Sequence, residues 1–368
     1  MIRYVYYLLF INMVANVVTF VPNELFRYRY EGAVPSLLLS LPLGLLLVFL
    51  FVRILMEFPG DGLPEIAKRH FPGWVAAPVL VYSAAIWFYA GALTLVAFAD
   101  IAQRFVNPDQ PLYSVLILFL LTVGAIARFR TVQILQVIEM LHWIILPFVV
   151  MLAIRSLTYP SLNWDAMRTV GTYVTVPPSW DALVAASYMF TGYLNLAIFH
   201  RVIGDKYKFR YMWILVGLGL FNLFSTFFIP IGMFGTEAVA ELTYPWVSTS
   251  DAMRMELGIS ERVSFLFLSV YFIVSLISAI IHWHVGLEMA KSVVPRRANG
   301  RLVEWLVLGL VSACVLTLGF LYNDDFFYRF AKMFNHLRFY TEFALVALLG
   351  AAVWRKRKRN ASAQTLGS

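Results

Sequence analysis

Cysteine is nearly missing from this chain. Cys314 stands alone and falls inside an apolar run, so a disulfide framework and a cysteine metal site are both excluded. Charge is scarce as well. Asp, Glu, Lys and Arg make up 14% of 368 residues, too few to coat a water-soluble protein of this size. Long polar stretches are also wanting: the two widest gaps between apolar runs, 155–181 and 236–262, are each under thirty residues, which leaves no room for a soluble domain. Catalytic signatures are missing too. There is no Gly-x-Ser-x-Gly, no phosphate loop and no His-Glu-x-x-His, and His336 has no second catalytic group near it in sequence. Neither enzyme activity nor a cofactor is expected.

What the chain has instead is grease, with 61% of its residues hydrophobic. Ten stretches are long and apolar enough to cross a bilayer, at roughly 4–23, 33–53, 75–100, 111–127, 131–154, 182–201, 211–235, 263–288, 304–322 and 338–354. The first is too long for the apolar core of a signal peptide and is read as a membrane helix. The last is the weakest, because only 343–354 is free of charge. A single membrane domain over 1–368 follows, all-α and multi-pass.

Orientation follows from Lys and Arg. With a cytoplasmic N-terminus, the inside segments hold 19 of the 29 basic residues, ending in Arg355-Lys356-Arg357-Lys358-Arg359. Both termini are therefore expected in the cytoplasm, with a basic tail over 355–368. The net charge of +8 reads as topology and contact with anionic lipid, and not as nucleic-acid binding.

Ten spans divide as five plus five, one repeat over about 4–154 and an inverted one over about 182–354. Inverted repeats commonly place a substrate site at the midplane, on interrupted helices. Span six carries Gly192 between Thr191 and Tyr193, which suits either a helix break or close helix packing. Span one carries Asn12, Asn16 and Thr19 on one face, then Pro22. That face suits a ligand pocket or a set of interhelical hydrogen bonds. Two polar stretches look amphipathic: a short helix over 62–70 with Leu63, Ile66 and Ala67 on its apolar side, and surface helices within 236–262 carrying Leu242, Trp246, Met253 and Leu257.

Several short motifs carry a family likeness. Phe58-Pro59-Gly60-x-x-Leu63-x-Glu65-Ile66, then Phe71-Pro72-Gly73-Trp74, follows the second span. Tyr244-Pro245, then Ile259-Ser260-Glu261-Arg262, leads into the eighth, and Phe190-x-Gly192-Tyr193 lies in the sixth. Together they resemble the GerAB-type spore-germination permeases of the amino acid–polyamine–organocation superfamily. The resemblance implies a LeuT-like ten-helix core. It also implies a membrane subunit of a nutrient-germinant receptor in the spore inner membrane, which binds a small nutrient, usually an amino acid, and assembles with other receptor subunits. Three positions depart from the family pattern: Ala15 stands where a glycine is usual, Thr191 where an acidic residue is usual, and Asp61 where a lysine is usual.

On this reading, Ala15, Asn16, Thr19, Tyr89, Thr191, Gly192, Tyr193, Tyr271 and Ser275 are expected to line the nutrient site. Tyr89 belongs to an aromatic group with Tyr82, Trp87 and Phe88 that also suits ordinary core packing. Glu139 and His142, three apart in span five, are candidates for proton coupling, or for a packed pair with Gln136 nearby. His282 and His284 point about 200° apart on a helix and do not close on one metal ion by themselves. The alternative to a receptor is a proton-coupled amino-acid permease using the same pocket.

Overall fold

The computed structural model describes residues 3–18, 20–204, 212–254, 262–295 and 300–366. Thr19, Leu257, Ile259, Ser260 and Glu261, named above, lie outside them, as do Lys206, Lys208, Arg210, Arg296 and Arg297 among the 19 inside basic residues. The described residues form helices joined by turns and short loops, and the one β feature among them is an isolated bridge between Arg254 and Arg262. In chain order the helices are α1 (Arg3–Ala15), α2 (Phe20–Arg27), α3 (Ala33–Leu55), α4 (Leu63–His70), α5 (Gly73–Phe105), α6 (Leu112–Ala127), α7 (Thr131–Leu157), α8 (Trp164–Gly171), α9 (Trp180–Ser187), α10 (Leu196–Ile203), α11 (Met212–Phe234), α12 (Pro245–Ala252), α13 (Val263–Val293), α14 (Gly300–Phe320) and α15 (Asp324–Leu366).

Eight helical runs among the described residues are long and apolar enough to cross a membrane. One of them, Trp180–Ile203, is composite: α9 and α10 joined by a 3₁₀ stretch. Of the other two expected crossings, α6 is 16 residues, about 24 Å by helical rise. The first is divided into α1 and α2. The weak tenth stretch is part of a continuous 43-residue helix, so its charged flank at 324–342 is helical too.

Burial separates an inner bundle from an outer ring. The Trp180–Ile203 window is 94% buried, whereas those in α14 and α7 are 11% and 22% buried. In a bilayer the outer ring presents its apolar side chains to lipid, and the inner bundle must satisfy its own polar groups. At its centre, α5 and α13 pack along their lengths. Small residues let large ones dock: a Cβ on Gly91 would lie 2.4 Å from the Trp283 ring.

Polar contacts gather at the two ends of the bundle. At one, Arg201 bonds Glu65 and Glu288 at 2.9 Å each, Lys291 joins Glu288 and Glu304 at 2.8 Å each, and Arg355 donates to the His70 carbonyl at 2.7 Å. At the other, Arg104 meets Asp324 at 2.6 Å, Tyr244 donates to Asp100 at 2.7 Å, and Arg29 meets Glu237 at 2.6 Å. Hydrogen bonds from Tyr30 and Arg29 hold Glu237 below the ordinary carboxylate range.

The amphipathic stretch forms α4, with Leu63, Ile66 and Ala67 fully buried. Within 236–262, α12 tucks inward: Trp246 and Met253 are buried, so this segment packs onto α11 and α13 instead of lying open on the surface. The basic tail is engaged as well. Arg355 and Arg359 donate to the His70 and Arg69 carbonyls at the end of α4, and Lys356 donates to the Glu57 carbonyl. The His70 and Arg69 carbonyls have no partner inside α4, and the cations favour the negative end of its dipole.

Candidate functional site

Two helices lose regular α-geometry deep in the bundle, and they do so side by side. α1 ends at Ala15, and the chain turns over 16–18 before α2 begins at Phe20. Pro22 has no N–H to offer the carbonyl of residue 18 and its ring clashes there, so the chain leaves the helix before it and restarts with Pro22 in the first turn. β-branched Val17 and Val18 add little helical preference. In the other segment, residues Tyr188–Asn195 form an eight-residue 3₁₀ run between α9 and α10, longer than such runs usually persist. Side chains support it from within. Ser187 donates to the Val184 carbonyl at 2.8 Å, Thr191 to Tyr188 at 3.0 Å and Asn195 to Gly192 at 3.3 Å, each spanning three residues.

Carbonyls at the two interruptions take side-chain donors, and asparagines supply them. Asn12 donates to the carbonyls of Tyr188 at 2.9 Å and Met189 at 3.2 Å, and touches the Thr191 hydroxyl at 3.3 Å. Asn16 donates to the Asn12 carbonyl at 3.0 Å and to Tyr188 at 3.4 Å. Asn222, from α11, donates to the Met13 carbonyl at 3.0 Å. Gly192 makes the close approach possible, since a Cβ there would lie 2.6 Å from the Leu8 carbonyl oxygen and 2.8 Å from Leu9 Cα. Both readings of Gly192 thus meet in one residue, which sits in a non-α segment and packs against α1.

A small cavity opens beside Thr191. Trp87, Ala90, Asn195, His282, Phe334 and Arg338 are among its walls. Its volume is about 20 Å³, room for roughly one water. The interruption is therefore closed around its own side chains, and it is not the wet, ligand-sized chamber that freed backbone groups would suggest.

Of the expected site residues, Asn16, Thr191 and Gly192 meet at the interruption and Ala15 ends α1 beside Asn16, but of these four Thr191 alone lines the cavity. Tyr193 points elsewhere: its hydroxyl donates to Glu342 at 2.8 Å and its ring meets Phe51 edge-on. Tyr89 lies next to cavity-lining Ala90 but bonds the Phe330 carbonyl at 2.7 Å and packs on Phe330 and Phe334, bracing α15. Tyr271 packs on Phe267, and Ser275 is buried with no partner for its hydroxyl among the described residues. By helical rise these two sit about 16 and 10 Å along α13 from His282, too far to share this cavity. Thr19 lies outside the described residues.

Glu139 and His142 do not bond each other among the described residues. Glu139 takes Arg3 at 2.6 Å and the Tyr4 hydroxyl at 2.7 Å, while His142 packs between the rings of Tyr7 and Phe10. α1 thus captures each of them separately. His282 bonds the Ser278 carbonyl at 2.6 Å, and His284 bonds the Ala127 carbonyl and Thr131.

Sequence reasoning misses the charge pair beside the site. Arg338 and Glu342, 2% and 1% exposed, bond each other. Arg338 also donates to Ser187 at 3.1 Å and the Val184 carbonyl at 2.5 Å, and lies 4.8 Å from the Tyr188 ring centre. The available signal was the four-residue spacing of opposite charges at the head of an apolar run.

The described residues thus form a multi-pass helical membrane bundle with two apposed interruptions. The sequence model of the spore germination protein family (Spore_permease) matches residues 3–321, and the chain belongs to that family. α15, with Arg338 and Glu342, lies beyond the matched stretch. No curated protein matches the chain.

Proposed function

We propose that the chain is the membrane subunit of a nutrient-germinant receptor in the spore inner membrane, with ten crossings in a LeuT-like five-plus-five arrangement and both termini cytoplasmic. It seats a small nutrient of the amino-acid class on the two interrupted helices and passes the event to further receptor subunits. The observation that carries this reading is the apposition of the α1 break and the 188–195 segment. There Asn12 and Asn16 hold main-chain carbonyls that a regular helix would keep for itself. A zwitterion can replace such bonds one for one: its ammonium takes the carbonyls and its carboxylate takes the asparagine amides. A cavity of about 20 Å³ must widen first. α15 is the element to move, because Phe334 and Arg338 form part of the wall.

The permease reading shares this pocket. It is favoured by charge networks at both ends of the bundle, Arg201 with Glu65 and Glu288 at one and Lys332 with Asp181 at the other, which suit two gates. Thermal unfolding of the purified chain with each common L-amino acid tests both readings, since a ligand that binds the folded state raises the midpoint. No stabilising amino acid means neither reading stands. Uptake of a stabilising amino acid into liposomes by the chain alone selects the permease, and binding without uptake selects the receptor.

A further inference from the structure

A second, more polar cavity lies elsewhere. It measures about 240 Å³, at the end of the bundle that carries the 238–244 segment, between α2 and the start of α15. Glu24, Glu241, Asp324 and Asp325 line it against two cations, Arg27 and Lys332. Acidic lining alone identifies no ligand, but the hydrogen-bond inventory adds an independent observation. Twelve buried side-chain nitrogen and oxygen atoms lack a hydrogen-bond partner among the described residues. Three of them are carbonyl or carboxylate oxygens, namely Asn23 Oδ1, Glu24 Oε1 and Asn335 Oδ1, and all three belong to residues that line this one cavity. Glu24 and Asn335 are 4% and 5% exposed. A buried acceptor left unmade is costly, so three gathered in one place call for a donor.

Neighbouring contacts narrow the donor. The Asn23 amide nitrogen already donates to the Thr243 carbonyl at 2.8 Å, which fixes its oxygen as the free end. Glu24 Oε2 takes the Tyr328 hydroxyl. Lys332 Nζ forms a long ion pair with Glu24 Oε1 at 3.4 Å, without hydrogen-bond geometry, while it donates to Asp181 at 2.5 Å. No group of three or more His, Cys, Asp or Glu suited to a metal occurs among the described residues. We propose that this vestibule recognises the primary ammonium group of a small organic ligand, whose N–H groups satisfy Asn23, Glu24 and Asn335. The site is separate from the interrupted helices and stands whether or not they bind a nutrient. Lys332 competes for Glu24 and keeps the binding reversible.

Thermal unfolding of the full chain in detergent tests this with methylammonium chloride, against sodium chloride and tetramethylammonium chloride at equal ionic strength. Methylammonium is expected to raise the midpoint in a saturable way, whereas tetramethylammonium, which has no N–H, does not. Glu24→Gln is expected to weaken the apparent affinity about tenfold, the worth of one charge-assisted hydrogen bond. Lys332→Gln, which removes the competitor, and Asn335→Asp, which adds a second carboxylate, are expected to tighten it. A purely structural role for these residues predicts no gain in either. Asn16→Leu, at the helix interruption, leaves the methylammonium response unchanged. No saturable shift, an equal shift with tetramethylammonium, unchanged affinity across Glu24→Gln and Asn335→Asp, or loss of the response in Asn16→Leu each overturns the proposal.

Discussion

Glu342→Ala should destabilise the protein by about 3–5 kcal/mol, the loss typical when one partner of a buried ion pair is removed. The size follows from what Arg338 keeps. It is 2% exposed, and without Glu342 its neighbours are the Ser187 hydroxyl, the Val184 carbonyl and the Tyr188 ring, none of them charged. Tyr193 would also lose its acceptor. The isosteric double change Arg338→Met with Glu342→Leu removes both charges and should return stability to near the parent value or above it. Unfolding by sodium dodecyl sulfate titration, followed by tryptophan fluorescence, measures both. A loss below about 1 kcal/mol for Glu342→Ala, the scale of an exposed pair, would show that water reaches Arg338. The reasoning that ties α15 to the interrupted segment would then fail.

Two further outcomes follow from the same packing. Gly192→Ala should cost about 1–3 kcal/mol, because its methyl would meet main-chain atoms of Leu8 and Leu9 that cannot rotate away; Gly124→Ala, with nothing near its added methyl, should be neutral or slightly stabilising in the same unfolding assay. The contact between α4 and the tail should weaken in acid. Burial, then Arg359, Arg69 and Lys356, hold His70 below its ordinary value, so folding favours the neutral ring. That contribution is whole above about pH 6.5 and is lost as pH falls through that value toward the folded one. The unfolding midpoint should fall between about pH 7.5 and pH 5.5 in the parent and fall less in His70→Phe; equal falls would remove His70 from the account.

The parts of the fold governed by solvent were legible in sequence. Bilayer-length apolar runs and the α4 amphipathic pattern depend on local composition, and they recur in the structure as long helices and a buried Leu63–Ile66–Ala67 face. The interruptions were legible only in part: Gly192 suited a break or close packing and serves as both, whereas span one showed a polar face followed by Pro22 without fixing where the helix stops. Partner choice across helices was not legible. Glu139 and His142 share a helix face, yet each finds its neighbour on α1, and Tyr193 shares a segment with Thr191 but reaches Glu342 on α15. Such pairings depend on rotation and register between elements far apart in the chain, which periodicity does not encode. The vestibule was hidden for the same reason, since Glu24 and Asn335 are separated by most of the sequence.

Equilibrium dialysis of a radiolabelled amino acid that stabilises the parent protein, repeated on Asn16→Leu and Thr191→Val, tests most directly whether the interrupted helices seat the nutrient. A loss of about tenfold or more in affinity in each variant is the result expected for removing one polar contact to the ligand. Parental affinity in both variants would contradict it and move the ligand away from the paired interruptions.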